Sequence, residues 1–384
     1  MRRTSFLIVS VCFISLLPCC AGLADDTLLN LGPGVSVQAA GADIMVSGYS
    51  APSFVDWNND GLGDLVVGEG GGIYPGKVRI YLNAGAEYDP QFPAWFYAQS
   101  DGSDLTCAAS GCMGCFPRVV YWDADARKDL LVGESLGGVR LFLNVGTDDN
   151  PTFDAGAPLQ VGPGGSKVNI DVGYRATPTA VDWNNDGKKD LVVGALDGLI
   201  RVFINEGTDT APEFLAQTLA QANGLSLDIG SRSSPDVLDL DGDGKKDLLT
   251  GNTAGELLFY KNLGVDDAPV FSGYSLVESD GVPINLAGTP RSRPFVCYWT
   301  DDAYLDVLIG AGDGKVHLYQ GTPTVGDINA DGCVDFLDLA LLADYWRHPD
   351  CGACGGADLF DDDTVDFRDL AQMAANWLVL VQSE

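Results

Sequence analysis

Histidine is nearly absent, with two in 384 residues. Catalysis through an imidazole base or nucleophile relay therefore has little to draw on. Basic residues are also few, 22 Lys and Arg against 54 Asp and Glu, for a formal net charge of −32. Nucleic acid and anionic membranes both need a basic footprint, so neither is an expected partner. Beyond the N-terminal segment no apolar run approaches the ~18 residues of a membrane span. Glycine (48) and acidic residues are abundant. At 46% hydrophobic residues the chain can bury a core, so its acidity does not imply disorder.

Arg2 and Arg3 precede an apolar run from Phe6 to Leu17, and small residues follow from Ala21 to Ala24. This order predicts a secretory signal peptide over 1–24 and a secreted, extracellular or cell-surface protein. Cys19 and Cys20 leave a lipoprotein alternative open, although Pro18 stands where a small residue is expected. Ten cysteines less Cys12, Cys19 and Cys20 leave seven, so at least one thiol has no partner within the chain. Cys107, Cys112 and Cys115 form one cluster, and Cys351-x-x-Cys354 with Cys333 forms another. Export favours a local disulfide in each over zinc.

A repeat dominates the chain. PSFVDWNNDGLGDLVVG from Pro52 recurs in related form from Pro117, Pro178, Pro235 and Pro294. The last Asp of each copy falls at 64, 129, 190, 247 and 306. A second signature, N-x-G then P-x-F, follows the first four copies and ends at Phe92, Phe153, Phe214 and Phe271. Four short β-prone segments per period predict the blade of a β-propeller. The repeats lie near 49–92, 114–153, 175–214, 232–271 and 291–320. The last copy has three strands, and the orphan segment 29–48 supplies the fourth. The expected fold is mainly β: a five-bladed β-propeller over 25–321, closed by the N-terminal strand with none left over. Trp57, Trp122, Trp183 and Trp299, with Leu240 in the remaining copy, are expected to pack between blades.

The loop inside each copy reads D-x-N-x-D-G-x-x-D when complete. Alternating oxygen ligands, a turn glycine and a closing Asp suit a hard cation, Ca2+. Complete sets are Asp56, Asn58, Asp60, Asp64; Asp182, Asn184, Asp186, Asp190; and Asp239, Asp241, Asp243, Asp247. Two copies begin with Tyr and form weaker sets, Asp123, Asp125, Asp129 and Asp302, Asp306. Such loops also occur as plain hairpin turns. Three complete copies in register favour calcium.

These repeats resemble the FG-GAP/VCBS family of calcium-binding propeller repeats, as in integrin α-subunit heads. The resemblance implies a propeller that holds structure or binds partners. It differs in lacking a literal Phe-Gly…Gly-Ala-Pro and in counting five blades where the family often has seven.

After a linker at 322–326 the pattern changes. Asp327, Asn329, Asp331 and Asp338 sit at the spacing of a twelve-residue EF-hand-like loop. Asp358, Asp362, Asp366 and Asp369 repeat it 31 residues later, with Phe360 at the third position, Asp363 at the turn glycine and Asp361 as a possible substitute ligand. Each loop leads into a D-L-A-x-x-A-x-x-W helix whose Leu339, Leu342, Trp346 or Leu370, Met373, Trp377 share one face. The segment 327–384 resembles a type I dockerin, a small mainly helical module, which implies a cohesin-like extracellular partner. The pair at loop positions 10 and 11 is Phe336-Leu337 and Phe367-Arg368, where the family usually has small polar residues.

Three residues before the blade prolines stand Tyr49, Gly114, Arg175, Arg232 and Arg291. Three arginines there would form a basic crescent on the channel rim, suited to an acidic polysaccharide. Glu69 and Glu134 occupy a second equivalent row on that face, and neutralisation of the arginines by these acids is the competing reading. Arg79, Arg140, Arg201 and His317 form a third row, expected to pair between blades. Two functions follow: a secreted binding or scaffold propeller with an assembly module, or a polysaccharide lyase or glycosidase using Glu69 and Glu134.

Overall fold

The computed structural model describes residues 29–71, 74–111, 113–123, 125–286, 288, 290–300, 302, 304–329, 334, 336–348, 354–360 and 362–379. The expected signal peptide, Cys112, Asp331, Cys333, Cys351, Asp361 and the Trp377 side chain lie outside the described residues. Among the described residues no helix is long and apolar enough to cross a membrane.

Five four-stranded antiparallel sheets form the five blades of a propeller. Their innermost strands are Ala51–Val55, Phe116–Val120, Thr177–Val181, Ser234–Leu238 and Arg293–Cys297. Each repeat proline faces a fixed partner on the second strand: Pro52 pairs with Val67, Pro117 with Val132, Pro178 with Val193. The second strands, such as Asp190–Gly194, are buried along their whole length. Both faces of such a strand are covered by neighbouring blades, so its sequence reads Leu-Val-Val without alternation.

The ring closes as the repeat arithmetic requires. Val35 and Ser36 pair with Leu318 and His317, so the N-terminal segment is the outer strand of the last blade. Leu31 bridges Gly321, and Asn30 donates to the carbonyls of Thr322 and Pro323. A glycine ends each second strand because the next blade's backbone lies against it. A Cβ on Gly133 would stand 2.0 Å from the Ala176 carbonyl oxygen, and one on Gly310 would stand 2.4 Å from that of Ser50. The second contact joins blade five to blade one.

The expectation of no surplus strand needs correction. Each outer strand breaks after two residues, and the chain adds a two-stranded hairpin, as at Gln221–Ala222 and Leu225–Ser226. Its turn runs through Asn223 and Gly224, both at positive φ, and Ala222 bridges Phe271 of the following blade. The hairpins thus stitch adjacent blades.

The repeated aromatics fill the seams. Phe92, Phe153, Phe214 and Phe271 are buried, each contributing roughly 1.5–3 kcal/mol. Trp57 meets Phe153 at 5.9 Å, Trp183 meets Phe271 at 6.3 Å and Trp299 meets Phe92 at 5.7 Å. The tryptophan row therefore packs between blades, as expected.

The C-terminal part holds α1 (Phe336–Asp344) and α2 (Phe367–Val379). Both begin two residues before the acid that closes the loop. Asp366 caps α2, its Oδ1 accepting from the Arg368 N–H at 2.7 Å. Leu342 and Met373 are buried in a small core with Val334, Ala357 and Val365, and Leu339, Leu370 and Trp346 pack against it half-buried.

Candidate functional sites: acidic loops and a basic channel mouth

The three complete blade loops share the bond from the turn glycine to the first Asp, the fourth blade differing in the second donor. The first Asp folds its loop by accepting two N–H bonds, one at each oxygen. Asp56 takes Asp60 at 3.1 Å and Gly61 at 2.9 Å; Asp182 takes Asp186 at 3.0 Å and Gly187 at 2.8 Å. Asp239 takes Gly242 and Gly244 at 2.8 and 2.9 Å. Gly61, Gly187 and Gly244 are at positive φ, which explains the glycine at this turn. In the fourth blade one oxygen each of Asp239, Asp241 and Asp247 lies within 4.8 Å of the others.

The last Asp does more than the sequence pattern assigned to it. Asp64 Oδ2 accepts the Trp57 N–H at 2.8 Å and Oδ1 accepts the Asn83 N–H at 2.6 Å. Asp129, Asp190, Asp247 and Asp306 do the same in their blades, with Gly321 replacing the Asn in the last. This carboxylate staples the loop to the end of the third strand in every blade, including those with incomplete ligand sets. Burial pushes Asp64 up to about 6 and Asp247 up to about 7, and the neighbouring loop carboxylates add repulsion. Asp129, Asp190 and Asp306 are raised for the same leading reason.

The two loops that begin with Tyr differ from each other. In the second blade the Arg127 guanidinium holds Asp125, Nε donating at 2.6 Å, and also donates to the Gly146 carbonyl. A fixed side-chain cation thus sits on the loop. Ala126 takes the turn position at φ 59. In the fifth blade the Thr300 hydroxyl donates to Asp302 at 2.8 Å. Lysines also reach two complete loops: Lys188 pairs with Asp186 at 3.2 Å, and Lys245 with Asp243 at 2.9 Å.

The loop tips are tied to the next blade by a network the sequence did not reveal. Asn59 donates to Asp148 at 2.8 Å and accepts from the almost fully buried Lys128. Asn185, Lys246 and Asp266 repeat this two blades later.

The C-terminal loops show the same devices. Asp338 Oδ1 accepts from Ile328 and Asn329, and Asp369 Oδ1 accepts from Leu359 and Phe360, at matching positions. Asp358 accepts from Asp362 at 3.2 Å and Asp363 at 2.8 Å, the bonding of the first Asp in a blade loop. Asp363 adopts φ 64 where glycine was expected. Asp327 is buried at the start of the first loop. Phe336, Leu337 and Phe367 are exposed.

Glu69 and Glu134 face arginines of their own blades. Glu69 Oε2 meets Arg79 at 2.6 Å, and its Oε1 accepts from Tyr97 at 2.8 Å. Glu134 lies 3.5 Å from Arg140. Arg201 pairs with Asp197, and His317 lies 3.6 Å from Asp313 of its own blade. The third row therefore pairs within blades, not between them, because antiparallel neighbours bring the second-strand exit beside the third strand. Neither glutamate is paired with a rim arginine by these bonds.

Arg175, Arg232 and Arg291 do gather at the mouth of the channel, around one recess. Arg293 joins them, from the first position of its inner strand. Tyr49 is buried among them, its ring 4.5 Å from the Arg291 guanidinium, 4.8 Å from that of Arg293 and 5.7 Å from that of Arg175. Met113 and Phe116 also line the recess and form an apolar cluster with Tyr49 and Ala51. The Cys107–Cys115 disulfide closes the connection that carries Met113. Deeper, the half-buried Arg118 donates to the carbonyls of Pro52 and Pro294 at 3.0 Å each, crossing the channel. Cys354 is also disulfide-bonded, and Cys297 is a free thiol that burial pushes well up.

Residues 182–250 match a family model described as FG-GAP-like repeat. No curated protein matches the chain. Among solved structures it is similar to the Photorhabdus luminescens Tc holotoxin pore, at 13% identity and TM-score 0.37 over 80% of this chain. It spans only 14% of that toxin chain. A GH43_1 enzyme from Xanthomonas citri aligns at 13% identity and TM-score 0.42, over 76% of this chain and 92% of the enzyme. Chaetomium thermophilum Raptor aligns at 11% identity and TM-score 0.37, over 77% of this chain and 29% of that one.

Proposed function

We propose that the protein is an exported, calcium-stabilised propeller that serves as a binding or scaffold module. Ca2+ would be held by the first, third, fifth and ninth loop positions: Asp56, Asn58, Asp60 and Asp64 in blade one, and their equivalents in blades three and four. The observation that carries this reading is the convergence of Asp239, Asp241 and Asp247 in a loop whose turn-glycine bond to the first Asp recurs at Asp56 and Asp182. Oxygen ligands on a rigid glycine turn are the chemistry of a hard cation. A divalent ion would also relieve the cost of ionising the buried ninth carboxylate. In the second blade Tyr121 replaces the first acid, which leaves that loop the weaker set.

The C-terminal pair of loop–helix units fits a dockerin-like assembly module. It would bind its own calcium through Asp327, Asn329, Asp331 and Asp338, and through Asp358, Asp362 and Asp369. The exposed Phe336, Leu337 and Phe367 would face a cohesin-like extracellular partner. On the propeller, the arginines at the channel mouth are the ligand-binding candidates, with an acidic polysaccharide as the fitting class.

Calcium titration of the chelated full-length protein, followed by melting temperature, tests the reading. Ligand that binds only the folded state must raise the melting temperature. An unchanged melt at saturating calcium would defeat it.

A further inference from the structure

Two of the acidic loops reach beyond their own blades. Asn59 stands fourth in the first loop, between the third and fifth positions, Asn58 and Asp60. Its backbone is left-handed, at φ 57. Its side chain bonds into blade two: Nδ2 donates to Asp148 Oδ2 at 2.8 Å, and Oδ1 accepts from Lys128 Nζ. Lys128 completes the triangle, donating to Asp148 through Nζ at 3.0 Å and through its backbone N–H at 2.7 Å. Asn185 stands fourth in the third loop, at φ 55, and does the same in blade four. Its Nδ2 donates to Asp266 at 2.6 Å, and its Oδ1 accepts from Lys246 at 2.5 Å. Lys246 donates to Asp266 through Nζ at 2.6 Å and through its N–H at 2.7 Å.

The other seams supply the contrast. In blade three Lys189 and Asp209 keep the same two bonds, at 2.6 and 2.8 Å. The preceding loop offers them Ala124, which has no hydrogen-bonding side chain. The Lys189 side chain is 31% exposed, against 15% for Lys246 and 2% for Lys128. The tip asparagine thus goes with a buried ammonium, and burial of a charge requires that its hydrogen bonds be met. The fourth loop has a complete set of acids but carries Gly242 at its tip, and blade five has Leu305 where the lysines stand. An ion that gathers the third and fifth positions fixes the residue between them. By the same geometry, a tip residue anchored on the next blade holds those two ligands in place.

We propose that Asn59 and Asn185 are positioning residues that couple cation binding in loops one and three to closure of the seams they cross. These are the seams between blades one and two and between blades three and four. Loop four takes its cation without such a coupling. The proposal rests on the calcium reading of the loops and names which of them act on a neighbour. The coupling is reciprocal: the ion tightens the seam, and the seam tightens the site.

The test is amide hydrogen exchange of the full-length protein in saturating calcium and in EDTA, beside a melt in each. The reporters are residues 146–150 of blade two and 264–268 of blade four, which carry Asp148 and Asp266. Calcium should slow exchange at least threefold in both. Asn59→Gly should abolish the slowing at 146–150 alone, and Asn185→Gly that at 264–268 alone. Glycine keeps the left-handed tip and copies Gly242 of a complete loop, so only the side chain is lost. Asn59→Ala serves if the glycine variant fails to fold. Asp56→Ala, which takes the first ligand from loop one, should also abolish the slowing at 146–150. Residues 207–211 of blade three, which no tip asparagine reaches, should respond to neither glycine variant. If calcium raises the melting temperature but leaves both reporters unchanged, or the glycine variants keep the slowing, the coupling falls and the calcium reading stands. If calcium does not raise the melting temperature, the calcium reading falls and the coupling falls with it.

Discussion

The loops of the third and second blades occupy the same place in the propeller and differ in their acids and in their turn residue. In blade three, Asp182, Asn184, Asp186 and Asp190 crowd a glycine turn. In blade two, Tyr121 replaces the first acid and Arg127 reaches Asp125. Both loops carry a cation at the seventh position on the fifth carboxylate, Lys188 on Asp186 and Arg127 on Asp125, but only the third blade keeps the first acid. Yet the ninth carboxylate keeps the same two backbone bonds in both, Asp190 to Trp183 and Asn205, Asp129 to Trp122 and Asn144. The acidic set can erode while the staple stays, because the staple holds the blade itself together.

The largest effect expected from this comparison is common to both loops. Asp190→Ala and Asp129→Ala each strand two buried N–H groups, at about 1–3 kcal/mol per group. Denaturant unfolding in chelator should show both variants destabilised by a similar amount, roughly 2–6 kcal/mol. A cost confined to blade three would mean that Asp129 is no staple.

The next effect separates the loops. Asp182→Ala removes the first ligand and should abolish the stabilisation that calcium gives that site, about 2.7 kcal/mol at a hundredfold excess over Kd. Asp123→Ala should leave the calcium-dependent part of the melt unchanged. Smaller still is the effect of Arg127→Ala, a slight fall in melting temperature that is the same with and without calcium. The double change Tyr121→Asp/Arg127→Lys restores the first acid and frees Asp125 from the guanidinium. It should add to the calcium dependence of the melt.

The fold was legible because each structural need recurs at a fixed interval. The register of Pro52 on Val67 repeats around the ring, so five copies and one orphan segment were enough to count blades and close them. The seam tryptophans were legible for the same reason. What stayed hidden depends on neighbours about sixty residues apart. Nothing in the text of blade two shows that Lys128 lies under Asn59 of blade one. The pairing of Glu69 with Arg79 follows from strand register within a blade, and it appears only once the second strand is seen to continue through Gly71. Arg293 was overlooked because it stands two residues after the rim position. Its signal was present: Ala51, Phe116, Thr177 and Ser234 hold the equivalent place without charge. The outer hairpins were missed because two-residue strands leave almost no periodicity to read.

The central claim is that the complete loops take cations and the others do not. It is tested most directly by melting the full-length protein in calcium and in EDTA beside the triple variant Asp56→Ala/Asp182→Ala/Asp239→Ala. The account predicts a large fall in melting temperature on chelation of the parent and a much smaller fall in the variant, which retains only the C-terminal loops. Equal sensitivity to EDTA in both proteins, or none in the parent, would contradict it.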